Sequence, residues 1–248
     1  MSNYKEFYQL HHQADPFILA NVWNVRSAQI VQNCGFKAIA TSSGAISESL
    51  GYPDGEQIPF AELLYIIGRI KKNTSIPLSV DFERGYSNDL DKLTDNIQKL
   101  LDAGVVGINL EDNEGEAVYL KKLSAIRNYL LKTGQELFIN ARTDGFLQKL
   151  PSPLETTIRR AGLYLGAGAD GLFVTGVQDA DIIRNITSST ALPVNVVGGP
   201  KIASAGVLAE CGVKRISMAP LLYKATYNNM ERIAAEILQK QSLAPLFQ

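Results

Sequence analysis

The sequence is poor in the residues that perform nucleophilic and soft-metal chemistry. It contains two cysteines, Cys34 and Cys211, and two histidines, the adjacent His11 and His12. The cysteines are far apart and lack metal-ligand spacing, which excludes a disulfide framework and a zinc ribbon. The histidines fall in a segment that predicts a surface helix, so we expect them to be solvated and expect no Ser-His-Asp triad. Any chemistry therefore depends on carboxylates, arginine, lysine, hydroxyl groups or a hard metal.

An excess of charge of either sign is also lacking. The 24 basic and 25 acidic residues leave a net charge of −1, so no broad cationic field exists for nucleic acid or for anionic lipid. No apolar run approaches the roughly 18 residues that span a bilayer, and residues 1–13 are too polar for a signal peptide. These absences predict a cytoplasmic protein that binds neither nucleic acid nor membrane.

Short apolar runs recur along the chain and are separated by longer segments with helical spacing, which predicts βα units around a parallel sheet. Eight such units in 248 residues match a (β/α)₈ barrel of the TIM type. No linker divides the chain, so we predict one domain over residues 1–248, with an N-terminal helix and a C-terminal helical segment. The predicted strands are Phe17 to Val22, Ala38 to Ser42, Leu78 to Phe82, Gly107 to Glu111, Leu137 to Ala141, Gly171 to Thr175, Val194 to Val197 and Arg215 to Met218.

A small residue followed by glycine precedes several of these strands and predicts helix ends, because glycine adopts the left-handed conformation that stops a helix. Cys34-Gly35 and Cys211-Gly212 are two examples. We therefore interpret both cysteines as small hydrophobic residues at helix ends and not as nucleophiles.

Acidic residues gather where the third and fourth predicted strands end. Asp81 and Glu83 are two residues apart and so lie on the same side of an extended chain, and Glu111 closes the neighbouring strand. Barrel active sites form at these carboxyl ends, and converging carboxylates suit a hard cation such as Mg²⁺. The alternative, that these acids are merely solvated loop residues, stays open on spacing alone.

Two other strand ends carry groups that suit an anionic ligand. Arg142 follows the fifth predicted strand, where a guanidinium could grip a carboxylate through two hydrogen bonds. The segment Thr41 to Gly44 follows the second and offers hydroxyl and N–H groups. The alternatives are a structural ion pair for Arg142 and an ordinary turn for the serine segment.

From about Phe17 to Pro220 the sequence resembles the isocitrate lyase and phosphoenolpyruvate mutase superfamily, through motifs that agree in order. The motifs are Asn21-Val22-Trp23-Asn24, Thr41-Ser42-Ser43-Gly44, Ser49 to Gly55, Asp81-Phe82-Glu83-Arg84-Gly85-Tyr86, Leu110-Glu111-Asp112, Ala141-Arg142-Thr143-Asp144 and Pro193-Val194-Asn195-Val196.

The resemblance implies an enzyme that uses Mg²⁺, or else Mn²⁺, to break or form a C–C or C–P bond in a small 2-oxo acid or its enolate. It implies metal binding, largely through water, by an acidic set of Asp54, Asp81, Glu83 and Glu111. It implies substrate binding by Ser42, Ser43, Gly44 and Arg142, with Trp23 as a wall of the pocket. The resemblance also implies a catalytic role for Arg142 and Asp54.

The chain departs from two branches of that superfamily. The lyases carry a Lys-Lys-Cys-Gly-His-type loop after strand four, where this chain has Asp112 to Glu116. The mutases carry a histidine after strand six, where this chain has Thr175-Gly176. Glu114 or Glu116 could supply a proton instead, although acidic loops are more often simply solvated. The substrate itself is not evident from the sequence.

Two rival functions stay open. Barrels often bind phosphate through the loops after strands seven and eight, and the loop from Val197 to Lys201 contains Gly198-Gly199. The second rival is a non-catalytic protein that binds a 2-oxo acid, since the loop cysteine and the histidine are missing.

The C-terminal segment from Leu221 to Leu246 predicts assembly. Ile233, Ile237 and Leu238 fall at helical spacing and form an apolar stripe that must be buried. The resembling family exchanges its eighth helix between subunits. We therefore expect a homodimer or a homotetramer, although a helix that simply closes its own barrel is the alternative.

Overall fold

Eight parallel strands form a closed barrel in which each strand pairs with its sequence neighbours and β1 pairs with β8. The computed structural model describes residues 2–247. The predicted (β/α)₈ fold is therefore confirmed. The strands are β1 Phe17–Val22, β2 Ile39–Thr41, β3 Leu78–Asp81, β4 Gly107–Glu111, β5 Phe138–Thr143, β6 Gly171–Val174, β7 Val194–Val197 and β8 Arg215–Ser217.

Helices surround the barrel. They are α1 Asn3–Leu10, α2 Val25–Asn33, α3 Ser43–Ser49, α4 Phe60–Lys72, α5 Leu90–Asp102, α6 Glu116–Thr133, α7 Pro153–Gly166, α8 Ala180–Ser188, α9 Ala205–Glu210 and α10 Leu221–Lys240, followed by the 3₁₀ turn Ala244–Phe247. Cys34 and Cys211 are the C-cap residues that directly follow α2 and α9, so both lie at helix ends as predicted. Among residues 2–247, none of the helices combines the length and the hydropathy that a membrane span requires.

The strand register brings the predicted site residues together at one rim. Asp81 of β3 pairs with Asn109 of β4, and Glu111 of β4 pairs with Arg142 of β5. The fifth strand was predicted to end at Ala141 but continues to Thr143, because Arg142 and Thr143 also pair with β6. Arg142 is therefore held by strands on both sides and is not a loop residue.

The N-terminal helix differs from its prediction. His11, which directly follows α1, is buried and stacks on Phe138 with a ring-centroid distance of 3.9 Å, while its Nδ1 lies 2.8 Å from the Phe7 carbonyl oxygen. Only His12 is exposed. The expectation that both histidines are solvated was wrong, because Phe7 and His11 share the helix face that packs against the amino ends of the strands.

Candidate active site

A cavity of about 340 Å³ opens at the carboxyl ends of the strands. This volume is at the small end of ligand pockets, as a small substrate requires. It is lined by Asn21, Ser42, Ser43, Gly44, Asp54, Asp81, Asn109, Arg142, Leu147, Phe173, Thr175, Gly176, Val177, Gln178, Val197, Ser217, Ala219, Pro220 and Leu221. Six of the residues proposed from the sequence are therefore brought together here, namely Ser42, Ser43, Gly44, Asp54, Asp81 and Arg142.

Asp81 is fixed at the cavity wall by the segment after β2. The Ser43 amide and hydroxyl both donate to Asp81 Oδ2, at 3.2 and 2.9 Å. Asp81 N in turn donates to Thr41 Oγ1 at 2.9 Å. Oδ1 of Asp81 accepts no hydrogen bond within residues 2–247, so one carboxylate oxygen is available to a cavity ligand.

Gly44 makes room for Asp54, which arrives from the loop between α3 and α4. A Cβ atom on Gly44 would lie 3.0 Å from Asp54 Oδ2. That contact is closer than carbon and oxygen normally pack, so glycine here permits the approach of the Asp54 carboxylate. The two cavity carboxylates therefore meet the serine segment at adjacent residues, Asp81 at Ser43 and Asp54 at Gly44.

Arg142 forms the structural ion pairs that were one of the two interpretations of the sequence, and it also reaches the cavity. Its Nη1 forms an ion pair with Glu111 at 2.8 Å, and its Nε and Nη2 contact the two oxygens of Asp144 at 2.8 and 3.0 Å. It nevertheless lines the cavity. Asp144 is itself held by Thr175, which donates its hydroxyl to Oδ1. The guanidinium is thus fixed in one orientation by two carboxylates before any ligand arrives.

Glu83 and Glu111 lie behind the cavity lining. Burial raises the pKa of Glu83 to about 8, with further contributions from the charges of Asp81, Asp54 and Glu111. Burial also raises the pKa of Glu111 to about 7, although the Arg142 charge acts in the opposite direction. Glu83 accepts a hydrogen bond from the Tyr86 hydroxyl at 3.2 Å and has a left-handed φ of 47°. Burial is the main cause of both pKa shifts, and the charges of neighbouring acids add to it.

These acids fit a hard divalent cation. Within residues 2–247 no three His, Cys, Asp or Glu side chains form a ready metal cage. Mg²⁺ needs no such cage, since it retains several waters and takes one or two carboxylates directly. Asp54 and Asp81 present oxygen ligands to the cavity, and a cation there would offset the mutual repulsion that raises the pKa of Glu83.

Trp23 lies outside the cavity lining. It packs edge-on against Tyr223 at a centroid distance of 5.2 Å and lines an apolar groove between α2 and α10. The sequence could not give the direction of a side chain in the loop that follows β1.

The acidic loop after β4 is ion-paired. Lys122 contacts Glu114 at 2.6 Å, and Arg159 contacts Glu116 at 2.7 Å. Burial acts to raise the pKa of Glu114. Hydrogen bonds from Lys122 and Asn88 act in the opposite direction and outweigh burial, so the net shift is downward. The hydrogen bond from Arg159 lowers the pKa of Glu116. Both carboxyls are therefore held ionised, which does not suit a proton donor.

Sequence reasoning missed the polar residues at the cavity floor. Asn21, Asn109 and Ser217 line the cavity but lie within strands. The available signal was a polar residue inside an apolar run, since a buried polar group needs a partner or a ligand. The sequence also gave no sign of a structural group around Asp112. This buried carboxylate accepts hydrogen bonds from Arg160 at 2.7 Å and from the Tyr164 hydroxyl at 2.5 Å.

Comparison with known proteins identifies the lineage. A family model described as phosphoenolpyruvate phosphomutase matches residues 7–238. The chain belongs to the phosphoenolpyruvate phosphomutase family. The resemblance that the sequence motifs indicated is confirmed, and the named relatives of this family include lyases, mutases and hydrolases.

Three relatives of this phosphomutase-family chain cover most of its length. An uncharacterized protein of Mycobacterium tuberculosis (strain H37Rv) is 36% identical over 88% of this chain and 83% of its own. An oxaloacetate decarboxylase of Pseudomonas fluorescens (strain SBW25) is 30% identical over 85% of this chain and 78% of its own. A provisionally named phosphonomutase from Burkholderia cenocepacia J2315 is 35% identical, with a TM-score of 0.86 over 94% of this chain and 99% of its own.

Divalent metal is found in this phosphomutase fold. A phosphonopyruvate hydrolase structure contains oxalate and Mg²⁺ and superposes with a TM-score of 0.87 over 98% of this chain and 89% of its own. Its sequence identity of 19% means that this likeness concerns the fold alone.

The raised pKa of Glu83 gives a test in the metal-free protein. Between its ordinary value of 4.5 and about 8, the folded state binds a proton that the unfolded state has released. Stability should therefore fall as pH rises through this window, by up to about 1.4 kcal/mol per pH unit. Urea unfolding in EDTA at pH 6 and pH 8 measures the slope. Glu83→Gln should reduce the slope and leave the contribution of Glu111, whose pKa burial also raises. Equal slopes in the two proteins would show that Glu83 is ionised throughout.

Proposed function

We propose that this protein is a divalent-metal-dependent lyase that removes CO₂ from a small 2-oxo acid whose second carboxylate is β to the carbonyl. The observation that carries this proposal is the chemistry of the cavity lining. Among residues 2–247, its ionisable groups are two carboxylates and one arginine, and it contains no histidine, cysteine, lysine or tyrosine. Such a lining binds anions and a hard cation but offers no group suited to exchange protons near neutral pH.

Decarboxylation needs the least proton transfer among the reactions of the named relatives. The C–C bond to the β-carboxylate breaks, CO₂ leaves, and the electron pair moves onto the carbonyl oxygen as an enolate. No hydroxyl group has to lose a proton beforehand, unlike the cleavage of a 2-hydroxy acid. Solvent water then supplies the proton that converts the enolate into the product 2-oxo acid.

The acidic residues would hold the cation. Asp54 and Asp81 would do so from the cavity wall, while Glu83 and Glu111 would act mainly through bound water. A divalent cation there supplies Lewis-acid stabilisation of the negative charge that develops on the carbonyl oxygen. We propose Mg²⁺ as the resident ion, with Mn²⁺ as a substitute.

The remaining lining residues would bind and orient the substrate. The backbone N–H groups of Ser42 and Ser43 already donate to the Val22 carbonyl and to Asp81. The Gly44 N–H has no acceptor within residues 2–247, so it is the amide of this segment that we assign to the substrate carboxylate. Arg142, oriented by Glu111 and Asp144, would grip the carboxylate at the reacting end. Its planar fork limits the rotation of that group.

The rivals receive less support. Of the segment Val197 to Lys201, only Val197, the last residue of β7, lines the cavity, and Gly199 faces the Gln178 side chain instead. That geometry offers no cradle for a phosphate, so no phosphorylated substrate is proposed. The non-catalytic alternative, a protein that binds a 2-oxo acid, is separated from the lyase by turnover alone.

Turnover of a substrate panel tests the proposal. Oxaloacetate, phosphonopyruvate and 2-methylisocitrate are each incubated with the protein in Mg²⁺ and in EDTA, and release of pyruvate, glyoxylate or oxalate is followed. The expected result is pyruvate from oxaloacetate in Mg²⁺, above a protein-free Mg²⁺ blank, and no excess in EDTA. Oxalate binding without turnover of any panel member would instead establish the non-catalytic protein.

We further propose a homodimer or a homotetramer, because α10 leaves apolar side chains uncovered. Only Tyr223 of this helix is buried, while Met230 and Leu238 are 59% and 73% exposed. Light scattering should therefore give at least twice the chain mass of 27.1 kDa. Truncation before Met230 should give insoluble chains. A stable 27.1 kDa particle at working concentration would remove the proposal.

The balanced charge also supports a small-molecule substrate rather than nucleic acid or membrane. We propose a cytoplasmic location on the same basis, and cell fractionation would test it.

A further inference from the structure

The centre of the barrel contains a buried cation without an ion-pair partner. Arg215 of β8 is completely buried and forms no ion pair with any carboxylate within residues 2–247. Its Nε donates to Ser217 Oγ at 3.2 Å, and its Nη2 donates to Asn109 Oδ1 at 3.3 Å. Removing an arginine from water without a counter-charge is costly, and proteins keep such groups where they serve a site.

Both hydrogen-bond partners of Arg215 belong to the cavity floor. Asn109 and Ser217 line the cavity directly above the guanidinium. The Ser217 hydroxyl is committed, because it accepts from Arg215 and donates to Asn195 Oδ1 at 3.0 Å. Arg215 is thus connected to the ligand site through one serine and one asparagine.

The hydrogen bonds to Asn109 allow only one orientation of its side-chain amide. Its Oδ1 accepts from Asn140 Nδ2 at 2.8 Å as well as from Arg215 Nη2. Since two donors occupy the oxygen, the NH₂ group must point the other way. Asn109 Nδ2 has no acceptor within residues 2–247, although the side chain is almost fully buried. It therefore presents an unused donor to the cavity.

We propose that Asn109 Nδ2 donates a hydrogen bond to an oxygen of the bound 2-oxo acid, and that Arg215 is the positioning residue that fixes this amide. The proposal deepens the proposed function and depends on it. A donor held in advance and aimed at an anionic oxygen stabilises charge without reorganisation. Arg215 also contributes positive charge next to this amide, because it forms no ion pair within residues 2–247 and the Asp81 carboxylate acts on it only through its charge.

Oxalate binding in saturating Mg²⁺, measured by calorimetry, tests the Asn109 assignment. Asn109→Asp keeps the oxygen that accepts from Asn140 and Arg215 but replaces the cavity donor with a second carboxylate oxygen. Its oxalate affinity should fall by at least about 30-fold, since a lost charge-assisted bond is joined by repulsion. Asn96→Asp, which places a new carboxylate at a buried asparagine on α5, is the matched control and should bind oxalate normally.

A second variant covers the case in which Asn109→Asp does not fold. Asn109→Ser keeps a hydroxyl that is too short to reach the ligand, and it should lose at least about tenfold in oxalate affinity. Normal affinity in a folded Asn109 variant would overturn the inference while leaving the proposed function intact. Absence of oxalate binding by the wild-type protein would overturn both.

A double-mutant cycle between Arg215 and Asn109 tests the positioning role of Arg215. Arg215→Met should weaken oxalate binding by about tenfold, because Asn109 then loses one of the two donors that fix it. If Arg215 acts through Asn109, the same substitution should have less effect when Asn109 is already serine. Independent effects that multiply would show that Arg215 supports only the fold.

Discussion

Asp81→Ala should abolish Mg²⁺-dependent oxalate binding, with the dissociation constant rising by about 100-fold or more. Asp81 presents a carboxylate oxygen to the cavity while Ser43 holds the other oxygen. Alanine removes both a carboxylate of the cavity wall and the group that orders the serine segment. The measurement is calorimetric titration of oxalate in saturating Mg²⁺, repeated in EDTA.

Asp95→Ala, on the outer face of α5, is the control for Asp81→Ala because it removes an exposed carboxylate remote from the cavity. It should leave oxalate affinity unchanged. Thermal unfolding of both variants separates loss of the site from loss of the fold. If folded Asp81→Ala binds oxalate as the wild type does, the metal does not reside at this carboxylate.

Arg142→Lys should lower kcat/KM for the 2-oxo acid by about 100-fold, because lysine keeps the charge but loses the planar fork. Lysine cannot satisfy both Glu111 and Asp144, which pair with Arg142. We therefore expect the free energy of unfolding to fall by roughly 1–3 kcal/mol.

The matched control for Arg142→Lys is Arg127→Lys. Arg127 pairs with Asp170 at 2.6 Å and donates to the Gly168 carbonyl, on the outside of the barrel. Its replacement should cost comparable stability and leave kcat/KM unaltered. A destabilised Arg142→Lys enzyme with normal kcat/KM would show that Arg142 is only a structural ion pair.

The fold could be predicted because its strands are buried on both faces. Parallel strands under a helical layer are continuous apolar runs, and such runs located β1, β4 and β7 to the residue. The end of β5 was placed too early, since the apolar run stops at Ala141 while the ladder continues through a polar arginine. Pairing with neighbouring strands, which is not local in sequence, sets that boundary.

The meeting of Asp81 with the serine segment at one cavity could be predicted, because both lie at the carboxyl ends of apolar strands. The ion-pair partners of Arg142 could not be predicted, because its contacts with Glu111 and Asp144 depend on strand register and on side-chain rotamers. Asn109 was missed for a related reason. It interrupts an apolar run, and only the closed barrel shows that this position faces the ligand cavity.

The most direct test of the central claim is diffraction from crystals grown with Mn²⁺ and oxalate. We expect an anomalous Mn²⁺ peak in the cavity, close enough to Asp81 and Asp54 for direct or water-mediated ligation, with oxalate bound to the ion. Oxalate should lie within hydrogen-bond reach of Arg142. A cavity without Mn²⁺, or an ion bound away from Asp81, would contradict the central claim.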